Sequence, residues 1–135
     1  MVSGEKIAST YAVMRQLRPQ LEEDEYQDTV ERMRRSGYRL AAVVDGGRMR
    51  CVAGFRIQEY LCCGKHLYVD DLITDRRIRS QGHGKRMLDW LTEEARGAGC
   101  VQLHLDSRIQ RSDTHRFYFR EGLTISAYRF RNDLQ

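Results

Sequence analysis

Leu72-Ile-Thr-Asp-Arg-Arg-Ile-Arg-Ser-Gln-Gly-His-Gly-Lys85 decides the reading of this 135-residue chain. A run of strand formers ends at Thr74, a charged loop follows, and two glycines separated by one residue open an amphipathic stretch. Met87, Leu88, Leu91, Ala95 and Ala98 recur through that stretch at helical spacing, and Gly99 closes it. A strand, a loop and a helix therefore meet at Gly82 and Gly84. The first N–H groups of a helix have no partners within it, and the helix dipole adds roughly half a positive charge at that end. An anion placed there is held by backbone donors. Gly82 and Gly84 remove side chains that would block its approach. Arg79 and Lys85 add positive charge to the same spot.

The surroundings give this junction a frame. Ile7, Tyr11, Met14 and Arg18 lie at helical spacing before Pro19, the only proline, which stops a first helix. Acidic residues from Glu22 to Glu25 suit the positive end of a second helix; Tyr26, Val30 and Met33 line its inner face and Ser36-Gly37 ends it. Tyr38 to Asp45 reads as a strand, and Gly46-Gly47 as a two-residue hairpin turn. Met49, Cys51, Ala53, Phe55 and Ile57 then alternate with more polar positions, as on a strand with one buried face. A turn near Cys63-Gly64 leads into a third strand from His66 to Thr74. After the long helix come a strand from Val101 to Asp106, a helix from Asp113 to Glu121 closed by Gly122, and a last strand from Leu123 to Arg131. The crossover through the long helix makes strands 66–74 and 101–106 parallel if they are neighbours. The expected fold is a single α/β domain over residues 1–135, with a mixed, mostly antiparallel central sheet and flanking helices.

Composition narrows the class. Apolar residues make up 41% and charged residues 31%, an ordinary globular mixture. No apolar run approaches the roughly 20 residues that span a bilayer, and MVSGEKIAST lacks the apolar stretch of a secretory signal. The expected location is the cytoplasm, away from membranes. Cys51, Cys62, Cys63 and Cys100 form no CxxC pair, so the expectation is no metal site and small buried thiols in a reducing compartment. The net charge of +4 fits a phosphorylated small ligand as well as nucleic acid. Its dense basic stretch surrounds the glycines, and no face interleaves aromatic and basic residues, so nucleic acid ranks last.

The junction is neither of the two commoner phosphate loops. A Walker loop needs Ser or Thr after its lysine, and Arg86 follows Lys85. A Rossmann loop needs a third glycine where Met87 stands. Instead, Arg79-Ser80-Gln81-Gly82-His83-Gly84 resembles the pyrophosphate signature of the GNAT superfamily of acyl-CoA-dependent N-acyltransferases. Tyr68-Val-Asp-Asp-Leu-Ile-Thr74 resembles that family's central strand. Thr114-His-Arg-Phe-Tyr118-Phe-Arg-Glu-Gly122-Leu123 resembles its later helix. The two matches lie in order and span residues 66 to 131, while the family's first strand is short or absent.

The resemblance implies an N-acetyltransferase with acetyl-CoA as co-substrate and a primary amine of a small molecule or peptide as acceptor. It implies that the backbone of Leu72, Ile73 and Thr74 holds the pantetheine arm, and that residues 79 to 85 hold the diphosphate. Acetyl transfer also needs a base to free an amine whose pKa lies near about 10.4, a donor for the oxyanion, and an acid for the departing thiolate. Tyr118 is the candidate acid, since a phenol protonates a thiolate without charging the site. Its neighbours Phe117 and Phe119 cannot all share one helix face with it. For the base, Asp70, Asp71, Glu59, His66 and a water chain all stay open. On a regular strand Asp70 and Asp71 face opposite sides, and a bulge would change that parity. Two positions depart from the family pattern: Ser80 where glycine is common, and Arg111 where asparagine is common. The first leaves the backbone contacts intact. The second alters one cofactor contact, and Arg111 reads as a solvated residue. A non-catalytic acyl-CoA sensor is the competing reading, and the resemblance leaves room for a homodimer through the last strand.

Overall fold

Gly46 and Gly47 have φ of 61° and 75°, a pair of left-handed conformations that only glycine adopts freely. They fold Arg39–Asp45 (β1) back on Arg48–Tyr60 (β2) as an antiparallel hairpin. Gly64, with φ of 75°, turns β2 into the antiparallel Gly64–Thr74 (β3). The long helix His83–Gly97 (α3) then carries the chain to Gln102–Leu105 (β4), which pairs with β3 in parallel. The sheet order is β1-β2-β3-β4. This computed structural model describes residues 1–78 and 81–135. Among them, no helix is long and apolar enough to cross a membrane.

A 3-10 segment, Gly4–Thr10, precedes Tyr11–Leu17 (α1), which ends just before Pro19. Glu23–Arg34 (α2) carries Glu23, Asp24 and Glu25 in its first turn, and Gly37 follows its end with φ of 101°. These helices cover one face of the sheet, where Ile7, Met14, Tyr26, Val30, Tyr38, Leu40, Val52 and Ile73 form one core. The other face packs against α3, where Cys51, Ala53, Phe55, Leu67, Val69, Met87, Leu91 and Ala95 form a second core. Burying a side chain of Leu or Met size contributes about 1.5–3 kcal/mol, so α3 is held mainly by its inward stripe.

Three expectations need correction. The alternation along β2 does not mark one buried face, because Cys51, Val52, Ala53 and Phe55 are all buried: helices cover both sides of the strand. Of the four cysteines only Cys51 is buried, whereas Cys62 is exposed and Cys63 and Cys100 are half-buried. The strand expected at Leu123–Arg131 is absent. Ser112–Arg120 (α4) is followed by Gly122 and then by residues 123–135 without regular secondary structure. Ile125, Tyr128 and Phe130 there are 69%, 81% and 93% exposed.

Pairing in the middle of β3 is irregular. Val69 pairs with Phe55 and Asp71 with Gly54, so Asp70 is an extra residue, a bulge. The bulge switches the faces that side chains take. Leu67 and Val69 pack toward α3, but Ile73 packs toward α1 and α2. A one-residue shift has this effect because the side-chain period of a strand is two.

Candidate active site

The parallel pairing of β3 with β4 runs from His66↔Gln102 to Val69↔Leu105 and goes no further. Beyond the bulge at Asp70, β3 keeps its pairing with β2 from Asp71 to Thr74 but has an open edge on the β4 side. Backbone donors and acceptors on such an edge are free to take an extended ligand as another strand. Leu72, Ile73 and Thr74 all lie on this edge.

The same edge leads to the start of α3. Gly82 is the N-cap, with φ of 81°, and no side chain caps the helix or places an acid in its first turn. The N–H groups of His83, Gly84 and Lys85 therefore point out of the helix end without an intrahelical partner. A Cβ on Gly84 would stand 3.4 Å from Thr74 Oγ1 and 3.6 Å from the Phe117 ring, so the helix start sits close to β3 and α4. Backbone donors, a half-charge of dipole and no acid in the first turn give this helix start the chemistry that suits an anion. The His83 side chain turns inward and is 5% exposed, so only its backbone serves that site. Gln81 is exposed beside it. The Lys85 ammonium turns along the helix to Asp89 at 2.9 Å and Glu121 at 3.3 Å, which offsets the charge expected there. Arg79 and Ser80 lie outside the described residues.

Tyr118 on α4 faces a cavity of about 60 Å³ that Asp70, Leu72, Leu105, Arg111 and Thr114 also line. Burial pushes its phenol up from the ordinary value, while the nearby Arg111 guanidinium pulls it down. The phenol therefore stays protonated at neutral pH. Phe119 points to solvent at 53% exposure, and Phe117 packs toward Gly84, so the three adjacent aromatics divide among three surroundings. Arg111 is exposed and borders the Tyr118 cavity.

The bulge sends both carboxylates to one side. Asp70 and Asp71 together line a larger, more open cavity of about 420 Å³. Asp70 borders both cavities; Asp71 borders only the larger one. Arg56 grips Asp70 through two hydrogen bonds, Nε to Oδ1 at 3.1 Å and Nη2 to Oδ2 at 2.7 Å. Burial raises the Asp70 pKa, and the Arg56 bonds oppose the rise. Asp71 accepts from Arg18 Nε at 3.0 Å and from the Tyr38 hydroxyl at 2.7 Å. Arg18 also donates to the Asp70 carbonyl at 3.0 Å. The Tyr38 phenol is pushed far up by burial first and by Asp71 second, so it serves as a donor. The other base candidates lie elsewhere. Glu59 borders neither cavity, and His66 is fully buried at the opposite end of β3.

Gly54, opposite Asp71, is a residue the sequence reading missed. A Cβ there would collide with the Tyr38 hydroxyl and ring and stand 2.7 Å from Asp71 Oδ2. A glycine inside a strand is a signal of close approach, and here the approaching group is the phenol that holds Asp71. Arg18, Arg56 and Tyr38 carried no motif and are identified only by what they reach. Beyond this site, Cys63, His66 and His104 bring one donor atom each within 4.8 Å of one another. The two imidazoles stack at 4.3 Å with 24° between planes, so their in-plane lone pairs run side by side instead of converging.

Residues 7–122 match the acetyltransferase (GNAT) family. An uncharacterized N-acetyltransferase, YhdJ, of Bacillus subtilis is 35% identical over 133 residues, covering 97% of this chain and 94% of that one. The chain belongs to the acetyltransferase (GNAT) family. As a GNAT protein it is an acyltransferase of the N-acetyltransferase class. Aminoalkylphosphonate N-acetyltransferase of Salmonella typhimurium is 42% identical over 62 residues, 46% of this chain and 40% of that one. Among solved structures, an aminoglycoside N-acetyltransferase, AAC(6′)-Iy, in complex with CoA superposes with a TM-score of 0.85 over 99% of this chain and 92% of that one. At 12% identity that likeness is one of fold. It agrees with the GNAT assignment and with the mixed sheet flanked by helices.

Proposed function

We propose that this GNAT chain moves an acetyl group from acetyl-CoA to a primary amine of a small molecule or peptide, by direct attack and a tetrahedral intermediate. The observation that carries the reading is the open edge of β3 at 70–74, which runs from the Tyr118 cavity to the uncapped start of α3. An extended pantetheine arm suits that edge, bonded to the backbone of Leu72, Ile73 and Thr74. The diphosphate suits the helix end, held by the amides of residues 81 to 85 and by Arg79 and Ser80. A CoA complex in a neighbour of the same fold and an aminoalkylphosphonate acceptor in a partial relative support acyl-CoA and a small amine.

Asp70 is the candidate base, because it alone of the two carboxylates borders both the Tyr118 cavity and the larger cavity where an acceptor would enter. The acceptor arrives as an ammonium and must lose one proton before its nitrogen attacks and one after. Burial makes Asp70 a stronger base than an ordinary carboxylate. Arg56 and, through Asp71, Arg18 and Tyr38 hold the bulge in place. As the C–S bond breaks, the Tyr118 hydroxyl gives its proton to sulfur, yielding CoA thiol and an amide.

The test is calorimetry of acetyl-CoA binding, followed by thiol release with a panel of primary amines. Tyr118→Phe should lower kcat by about 10²–10⁴ while leaving CoA affinity unchanged. An unchanged kcat removes Tyr118 from the acid role, and absence of CoA binding removes the whole reading.

A further inference from the structure

We infer that Ser107 is a further catalytic residue, whose hydroxyl donates a hydrogen bond to the thioester carbonyl oxygen as that oxygen takes up negative charge. The inference rests on the acetyl-transfer reading. It supplies the oxyanion donor that the acid and base roles of Tyr118 and Asp70 leave unfilled.

Ser107 stands just past Leu105, the last residue of β4, where β3 and β4 have ceased to pair. It borders the cavity of about 60 Å³ together with Asp70, Leu72 and Tyr118. Its Oγ is buried and has no hydrogen-bond partner among the described residues. Buried hydroxyls ordinarily have one, because an unpaired buried polar atom costs stability. A dry, unbonded hydroxyl at the wall of a reaction cavity is a donor held in reserve, and no hydrogen bond opposes the turn about Cα–Cβ that aims it inward. The other polar groups of this wall suit the task less. Arg108 and Arg111 are exposed, and water weakens the pull of their charge. Arg18 is engaged with Asp71 and the Asp70 carbonyl. The backbone donors of the open β3 edge go to the pantetheine arm in the acetyl-transfer reading, and the Tyr118 proton goes to sulfur.

The step balances with Ser107 as a donor only. As the amine nitrogen attacks, the C–N bond forms and the carbonyl π pair moves onto oxygen, where the Ser107 O–H meets it and keeps its own proton. The pair then returns, the C–S bond breaks, and sulfur takes the proton of Tyr118. Because the charge on oxygen exists only in the tetrahedral state, the bond accelerates turnover more than it tightens binding. A donor shut off from water is worth far more there than one in solvent.

The experiment compares the parent chain with Ser107→Ala and Ser107→Thr. Turnover is followed by thiol release from acetyl-CoA with the best primary amine of the panel, CoA affinity by calorimetry, and stability by urea unfolding. Ser107→Ala should lower kcat by about 10²–10³-fold, the scale of one oxyanion donor, and leave CoA affinity unchanged. Its unfolding midpoint should be unchanged or higher, since the parent hydroxyl has no bond to lose; a merely structural serine would lower it. Ser107→Thr keeps the hydroxyl and should recover part of the kcat. An undiminished kcat in Ser107→Ala overturns the inference. So do equal losses in the two variants, a kcat loss that comes with a lower midpoint, or weaker CoA affinity at unchanged kcat, which would make Ser107 a contact of the pantetheine arm. Each of these leaves acetyl transfer standing. A parent chain that binds no CoA overturns the acetyl-transfer reading beneath it.

Discussion

Replacing Gly54 with alanine isolates a single steric contact. The backbone at Gly54 is one that any L-residue adopts, so no conformational strain enters. The added methyl would overlap the Tyr38 hydroxyl and ring and crowd Asp71 Oδ2 at 2.7 Å. Tyr38 is 2% exposed and has no room to retreat. Forcing an extra carbon into a packed site costs about 1–3 kcal/mol. Displacing the phenol breaks its 2.7 Å bond to Asp71, a bond to a charged acceptor worth about 1.5–3 kcal/mol. The two effects share one side chain and do not add fully, so the expected loss is about 3–5 kcal/mol, a large part of the roughly 5–15 kcal/mol that holds a small domain together. With a urea slope of about 2 kcal/mol per molar, the unfolding midpoint should fall by roughly 2 M. Gly47→Ala is the control. It meets nothing within 4 Å but has φ of 75°, and should cost only the left-handed penalty of about 1–2 kcal/mol. Combining Gly54→Ala with Tyr38→Phe should cost less than the sum of the two, since the hydroxyl is both the obstacle and the lost donor. A loss below about 1 kcal/mol for Gly54→Ala would refute the argument that this glycine exists to seat Tyr38 against Asp71.

Other outcomes follow from the same geometry. Gly82→Ala meets no atom within 4 Å but must adopt φ of 81° at the start of α3, so stability should fall by about 1–2 kcal/mol and CoA affinity should weaken, both readable by denaturation and calorimetry. Asp75 is buried, and bonds to Arg77 first hold its carboxyl well below the usual carboxylate range. Because its folded pKa is depressed, its stabilisation is complete above the ordinary value of 3.8 and is lost as pH falls through the folded value. Asp75→Asn should therefore be less stable than the parent chain at pH 7, by about 2–4 kcal/mol, with the gap closing in strong acid. Burial raises the Cys51 thiol to about 11, whereas Cys62 is exposed. A thiol reagent should modify Cys62 at once and Cys51 only after unfolding. If Asp70 is the base, Asp70→Asn should lower kcat/KM and remove an inflection from the acidic limb of its pH profile, and an unaltered profile would assign proton removal to water.

The sequence by itself determined everything that depends on neighbours along the chain. Gly46-Gly47, Gly37, Gly99 and Gly122 each ended or turned an element where a positive φ was needed. The spacing of Met87, Leu88, Leu91 and Ala95 set the buried stripe of α3. The Gly82–Gly84 junction marked a helix start with free amides, since that is a local property. Tertiary structure decided what depends on partners. Leu123–Arg131 has the residues of a strand, yet a strand forms only against another edge, and here the segment stays irregular with Ile125, Tyr128 and Phe130 exposed. Buried residues on both faces of β2 reflect helices on both sides of it. Asp70 and Asp71 share one cavity because β3 slips one residue against β2. Register is set by cross-strand packing, and no pattern within residues 66–74 alone specifies it.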